Sequence, residues 1–318
     1  MSPGDSKYLP PQTLKSDALL LLTAVIWGFA FVAQRVGMDY VGPFTFNGIR
    51  FALGSLVLIP FVLRNDTEIR RTTHPEENNG LKMMILGGGA AGLALFSGAS
   101  LQQVGLVYTT AGKAGFITGL YVVIVPLLGL FFRQRTNAGT WIGGVFAAVG
   151  LYFLSITQAM TISLGDFLEL AGAFCWAGHV LIIGRLSRCM YPLKLALVQF
   201  AACSVLSLIT AAIFEVMTLA SISQAAVPLL YGGALSVGIA YTLQVVAQRK
   251  AHPAHAAILL SLESVFAAIG GWLILGETLS GRGMFGCVLM LTGMLISQLW
   301  NFMQPAAVKV AAANETVG

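Results

Sequence analysis

A chain of 318 residues that is 57% apolar and 10% charged carries well under half the charge of a soluble globular domain, where about 25% is usual. A water-soluble core needs a charged exterior, so this excess of apolar surface calls for lipid. The net charge of +5 does not point to nucleic acid, because the bases fall singly or in small groups between apolar runs, without aromatic interleaving, as in membrane loops.

In chain order, residues 1–17 form a polar tail containing three prolines. The apolar run that follows is long enough to span and has no small-residue cleavage site, so it is read as a retained first helix, not a signal peptide. A spanning helix needs about 20 mainly apolar residues. Ten spans are predicted, near 18–36, 44–63, 82–104, 113–132, 138–157, 166–186, 194–215, 228–248, 254–275 and 283–302. The third and fourth meet in a turn at 107–112, and a short connection near 221–224 precedes the eighth. The longest connection, 64–80, is polar and charged and is expected to be a solvated inside loop.

Lysine and arginine placement orients the chain. With the N-terminus inside, fourteen of the eighteen bases fall on inside segments, and only Arg35, Lys113 and Arg282 fall on outside ones; Arg50 lies within a span. Both termini are therefore expected in the cytoplasm of a bacterial (inner) plasma membrane.

Four cysteines, Cys175, Cys189, Cys203 and Cys287, are scattered without CxxC spacing or a partner histidine cluster, and are read as small apolar packers. Neither metal nor cofactor is expected. Gly87-Gly88-Gly89 lacks the lysine and strand-to-helix setting of a nucleotide loop, which excludes an ATP-driven pump unless a separate subunit supplies the motor. Gly88/Gly92, Gly115/Gly119 and Gly139/Gly143 follow the small-xxx-small pattern of closely packed membrane helices.

Weak internal repetition is also present. Trp27 and Trp176 sit in similar settings at the openings of the two halves, and WIGGVFAAVGLYFL from Trp141 aligns with MFGCVLMLTGMLIS from Met284, matching Gly143 with Gly286 and Gly150 with Gly293. Five spans per half is an odd number, so the halves would run in opposite directions through the membrane, the inverted-repeat plan of many secondary transporters. The expected units are a first repeat over 18–157, a second, inverted repeat over 158–302 and a tail over 303–318.

The run from Ser261 through Glu263, Trp272 and Glu277 resembles the ninth-helix signature of EamA-type transporters in the drug/metabolite transporter superfamily. Trp27-Gly28, Asn47 to Phe51 and Tyr108 to Tyr121 agree with the same resemblance, which covers roughly 18–300. The family usually has proline after the mid-helix glutamate where this chain has Ser264, which puts any local unwinding there in doubt. The resemblance implies an all-α membrane protein of ten helices, in two inverted five-helix repeats around a central cavity. It also implies transport of metabolites, often export of amino acids or related compounds, without naming the solute.

Polar groups within the hydrocarbon are costly and need a partner or a wet cavity. Glu263, placed near mid-depth, is either a cavity carboxylate for a solute amine or coupling proton, or a fixed partner of a neighbouring helix. Arg50 either meets a solute carboxylate or pairs with Asp39 and caps helix carbonyls. Lys113 either gates the outer mouth or snorkels to water. Trp27, Phe31 and Gln34 share one helical face with Thr23; Ser100 and Gln103 share another with Phe96. Trp176 and His179 form a third with Glu169, and Tyr241 and Gln244 a fourth. For each residue alone, helix-to-helix hydrogen bonding of about 1 kcal/mol is the simpler reading; four such faces together suggest the walls of a polar cavity. His179 is also a candidate for proton coupling.

The expected partners are the lipid bilayer and a small organic solute. An importer or exchanger of sugars, nucleotides or phosphorylated solutes is the alternative within transport. A membrane enzyme would need converging catalytic groups, and the one histidine pair, His252 and His255, has no adjoining carboxylate.

Overall fold

Hydrocarbon offers the peptide group no hydrogen bonds, so a membrane segment must satisfy its backbone within helices or a closed barrel. This chain uses helices, with no strand element among the described residues. The structure, a computed structural model, describes residues 11–70, 77–130, 138–155, 162–186, 191–248, 259–260 and 262–303. Cys189, His252, His255 and most of both tails lie outside them.

The first half contains α1 (Pro11–Gly37), α2 (Pro43–Arg70), α3 (Glu77–Tyr108), α4 (Ala111–Gly119), α5 (Tyr121–Gly129) and α6 (Ala138–Ser155). The helices α4 and α5 meet at Leu120 and form one apolar span, Ala111–Gly129. The second half contains α7 (Leu164–Leu186), α8 (Pro192–Phe214), the short α9 (Leu219–Gln224) and α10 (Ala226–Leu230). A π-helical stretch (Tyr231–Ala240), α11 (Tyr241–Gln248), α12 (Glu263–Leu275) and α13 (Gly281–Met303) complete it. Among the described residues, eight helical segments are long and apolar enough to cross a membrane, and Glu263–Leu275 and Gly281–Ser297 are shorter apolar helices. This is an all-α, multi-pass membrane protein.

Helix starts and stops follow local chemistry. Pro192 opens α8 in the first turn, where a missing N–H costs nothing. Thr110 caps α4 by accepting from the Lys113 amide at 3.3 Å. Gly276, with φ of 65°, ends α12 in the left-handed conformation, and the Glu277 amide donates back to the Gly271 carbonyl at 3.0 Å.

The most extensive helix pair is α6 with α13, followed by α3 with α7 and α2 with α8. Glycine makes the first of these possible. A Cβ on Gly143 would stand 2.5 Å from the Gly293 carbonyl oxygen, and one on Gly293 equally close to the Gly143 oxygen. Gly150 and Gly286 face each other in the same way at 2.6 Å. Backbone therefore lies directly against backbone along this seam. Large apolar side chains such as Leu63, Val205, Ile213 and Val288 are exposed, as a surface facing lipid requires.

Three boundaries differ from expectation. The segment 64–80 is helical at both ends, since α2 runs to Arg70 and α3 starts at Glu77; no proline or glycine interrupts 64–70, and polarity alone does not end a helix once it leaves lipid. The turn between the third and fourth spans is confined to Thr109 and Thr110. Glu263 stands in the first turn of the described helix α12 rather than in its middle.

Candidate functional site

Arg50 is the best starting point because a cation inside a membrane bundle needs an explanation. It is buried on α2, and its Nε donates to Asn47 Oδ1 at 2.9 Å, while Asn47 Nδ2 donates to the Ala99 carbonyl of α3 at 2.9 Å. The guanidinium carbon lies 4.8 Å from the Phe51 ring centroid and 5.9 Å from that of Phe46, within cation–π range. Asp39 is not its ion-pair partner. That carboxylate sits one turn beyond Arg35 and is held by Arg35 Nη1 at 3.0 Å. Among the described residues no carboxylate forms an ion pair with Arg50, although a guanidinium has five N–H donors to place.

A file of rings leads from Arg50 across the bundle. Phe51 packs on Phe200 of α8 at 5.9 Å, Phe200 on Tyr241 of α11 at 5.2 Å, and Tyr241 edge-on to Trp27 of α1 at 4.8 Å. The Trp27 indole N–H donates to the Ser236 carbonyl at 3.2 Å. Ser236 lies in the π-helical stretch, where the wider turn re-aims carbonyls that an α-helix would hold along its axis.

Glu263 is buried at the start of α12, and its carbonyl passes 2.8 Å from where a Cβ on Gly28 would stand, which sets the backbone there against the middle of α1. Among the described residues it forms no ion pair. The next residue, Ser264, donates to the Gly115 carbonyl of α4 at 2.9 Å, a bond that a proline there would not make.

A second group joins α1, α3 and α7. Trp176 Nε1 donates to Gln102 Oε1 at 2.9 Å, Gln102 Nε2 to Gln34 Oε1 at 2.9 Å, and Gln34 Nε2 to the Ala30 carbonyl at 3.0 Å. Trp176 also packs with the apolar cluster that contains Phe51 and Phe200, which ties this chain of bonds to the ring file. His179 pairs with Gln199 of α8 at 2.7 Å and stands edge-on to Trp176 at 5.8 Å.

Other expected wall residues lie elsewhere. Phe31 is buried in an apolar cluster with Leu106, Ala111, Ala114 and Ala267. Gln103 Nε2 reaches the Gln34 carbonyl at 3.2 Å and Met38 Sδ at 3.3 Å, and its Oε1 is buried without a partner, as is Ser100 Oγ. Gln244 is half-buried on α11. Lys113 is neither free nor snorkelled: its Nζ is bound to Asp166 Oδ2 of α7, and the other oxygen of Asp166 accepts from Thr109 Oγ1.

Several contributing residues escaped the sequence reading. Gln102 adjoins a residue singled out for its face, yet it is the one that links Trp176 to Gln34. Glu215 and Glu277 each hold the start of another helix. Glu215 accepts from the Phe44 and Thr45 amides at 2.8 Å each, and Glu277 from the Ala111 and Gly112 amides at 2.7 and 3.0 Å. Carboxylates at span ends signal this role only once the neighbouring helix is known. Among the described residues no cluster of metal-ligating side chains is present.

Chemically, the bundle offers a buried cation and a buried acid, neither in an ion pair among the described residues, and a file of aromatic rings that starts at Arg50. Such a site can hold an organic solute bearing a carboxylate and an amine.

The model of the EamA-like transporter family matches the chain twice, over residues 14–156 and 163–298. An uncharacterised transporter of Archaeoglobus fulgidus is 33% identical over 90% of this chain and 86% of its own length. The threonine/homoserine exporter RhtA of Salmonella typhimurium is 30% identical over 88% and 89%, and a probable amino-acid metabolite efflux pump of Escherichia coli is 25% identical over 94% and 99%. A solved crystal structure, 18% identical, covers 90% of this chain and 97% of its own with a TM-score of 0.63, which shows the shared fold. Members of the matched family are transporters, not enzymes. With both halves matched and the fold shared, the chain belongs to the EamA-like transporter family.

Proposed function

We propose that this transporter exports small organic metabolites such as amino acids by alternating access, with Arg50 receiving the solute carboxylate and Glu263 the amine. The carrying observation is a buried guanidinium and a buried carboxyl group, neither with an ion-pair partner among the described residues. Trp27, Tyr241 and Trp176 supply the aromatic walls. The relatives named for amino-acid metabolites and for threonine and homoserine favour the same solute class and the outward direction.

Helix packing supports two inverted five-span repeats. With α4 and α5 counted as the fourth span and α10 through α11 as the eighth, spans two and seven, four and nine, and five and ten pair together. Span one meets nine as six meets four, and span three meets six as eight meets one. Each of these contacts maps onto another, or onto itself, when five is added to both partners. The facing of Gly143 with Gly293 and of Gly150 with Gly286 fits as well, because the aligned repeats equate Gly143 with Gly286 and Gly150 with Gly293. This symmetry favours a solute site between the halves near mid-membrane. The base-rich inside segments favour a bacterial inner membrane with both termini in the cytoplasm.

The test is flux of labelled threonine, homoserine and a pool of other amino acids in proteoliposomes of the purified protein. Flux above empty vesicles, abolished by Glu263→Gln and by Arg50→Gln in correctly folded protein, is the expected result. Flux unchanged in both variants would remove these residues from the pathway. No flux of any amino acid in the parent protein would overturn the proposed solute class.

A further inference from the structure

Apart from Arg50 and Glu263, two acids among the described residues have no exposed surface: Asp166, which is paired with Lys113, and Glu169, which is not paired. Glu169 of α7 has no exposed surface. Its Oε2 accepts from Thr118 Oγ1 on α4 at 3.0 Å, whereas Oε1 is buried with no hydrogen-bond partner. The space around Oε1 exists because residue 105 of α3 is glycine: a Cβ there would lie 2.9 Å from that oxygen. Three helices thus enclose a carboxyl group and stabilise only one of its two oxygens.

The charged and titratable surroundings are few. The helices packed against α7 are α3, α5 and α4. From α7 itself comes Asp166, one turn earlier. From α4 comes Lys113, whose charge is already engaged by Asp166. Tyr108 of α3 is exposed at the helix end, and Tyr121 of α5 packs against the apolar cluster of Phe116 and Ile117. No unengaged cation among the described residues is thereby offered to Glu169. An ionised form would carry negative charge on an oxygen with nothing to stabilise it, while the neutral acid fits the same space.

We propose that Glu169 is a proton-binding carboxylate of the transport cycle, loaded in this conformation and emptied when the α3–α4–α7 contact opens to water. The step needs no co-reactant: a carboxylate oxygen binds one proton from water on one side of the membrane, forming an O–H bond, and returns it to water on the other. The Lys113–Asp166–Thr109 cluster stands between Glu169 and the expected outer face, so parting of that cluster gives the proton its entry. This inference rests on the carrier reading above and adds the residue through which a pH gradient drives the carrier.

Two measurements on the full-length protein decide it. Infrared difference spectroscopy of the purified protein at neutral pH reads protonated carboxyl groups directly, independently of any solute. A carboxylic-acid carbonyl band should be present, lost in Glu169→Gln and displaced in Thr118→Val, which removes the hydrogen bond but keeps the acid. A band unchanged in both variants, or none in the parent, overturns the proposal even if no solute moves. In proteoliposomes, one unit of pH gradient should drive up to about tenfold accumulation of labelled threonine for one-to-one exchange, and Glu169→Gln should exchange threonine without accumulating it. Gradient-driven accumulation that survives Glu169→Gln also overturns the proposal. Absence of threonine flux in the parent counts against the carrier reading, and the infrared result still decides Glu169.

Discussion

Gly143 of α6 lies with its backbone against the carbonyl of Gly293 of α13, and Gly293 lies in the same way against Gly143. Any side chain at either position must push the helices apart. Gly143→Ala is expected to destabilise the protein by about 1–3 kcal/mol, the usual cost of overpacking. Thermal unfolding in detergent checks this, with Gly89→Ala as the control: nothing lies within 4 Å of a Cβ there, and it should be neutral or slightly stabilising.

Glu277→Ala removes the acceptor of two amides at the start of α4, and Glu215→Ala that of two amides and the Thr45 hydroxyl at the start of α2. Each should cost about 1–2 kcal/mol, as the loss of a helix cap does. Glu277→Gln, which keeps one acceptor oxygen, should recover part of the loss in the same unfolding assay.

Arg50→Lys separates charge from geometry. Lysine retains a cation but not the planar fork that grips a carboxylate with two bonds. The apparent affinity for threonine should fall by about tenfold or more, corresponding to roughly 1.4 kcal/mol. Threoninamide, which lacks the carboxylate, should be handled equally by parent and variant. Equal losses for both compounds would assign Arg50 to packing.

Gln102→Leu leaves both the Trp176 indole N–H and the Gln34 side-chain oxygen without their present partners. The cost should be about 1–3 kcal/mol per unsatisfied group left buried. Near-ultraviolet circular dichroism and tryptophan fluorescence should report a looser Trp176, while Gln199→Leu, which removes the hydrogen bond to His179, should leave the fluorescence of Trp176 closer to that of the parent.

The membrane class and most spans were legible because hydropathy acts over twenty residues at a time and tolerates local error. Helix ends were less so: α2 continues to Arg70 because helix propensity persists beyond the lipid boundary that hydropathy detects. At the site, periodicity placed Trp27 and Tyr241 on inward faces, and the structure stacks them together. The same periodicity put Phe31 beside Trp27, yet Phe31 turns into the apolar cluster of α4 and α12. A helical face is a sector about 100° wide, and neighbouring helices divide it between them. Lys113 and Asp166 are 53 residues apart, and no local pattern announces a pair of that kind. Periodicity puts Glu169 in one broad sector with Trp176 and His179, but the orphaned oxygen that gives it significance depends on Gly105 of another helix.

The glycine seam between α6 and α13 carries none of the residues assigned to solute or proton. Its demands are steric, so selection for a new cargo has nothing to gain by altering it. Descendants of this chain can change ring sizes and charges on α1, α2, α8 and α11 while inheriting the seam intact. Within the molecule it serves as a keel: the part that stays fixed while preference for cargo drifts.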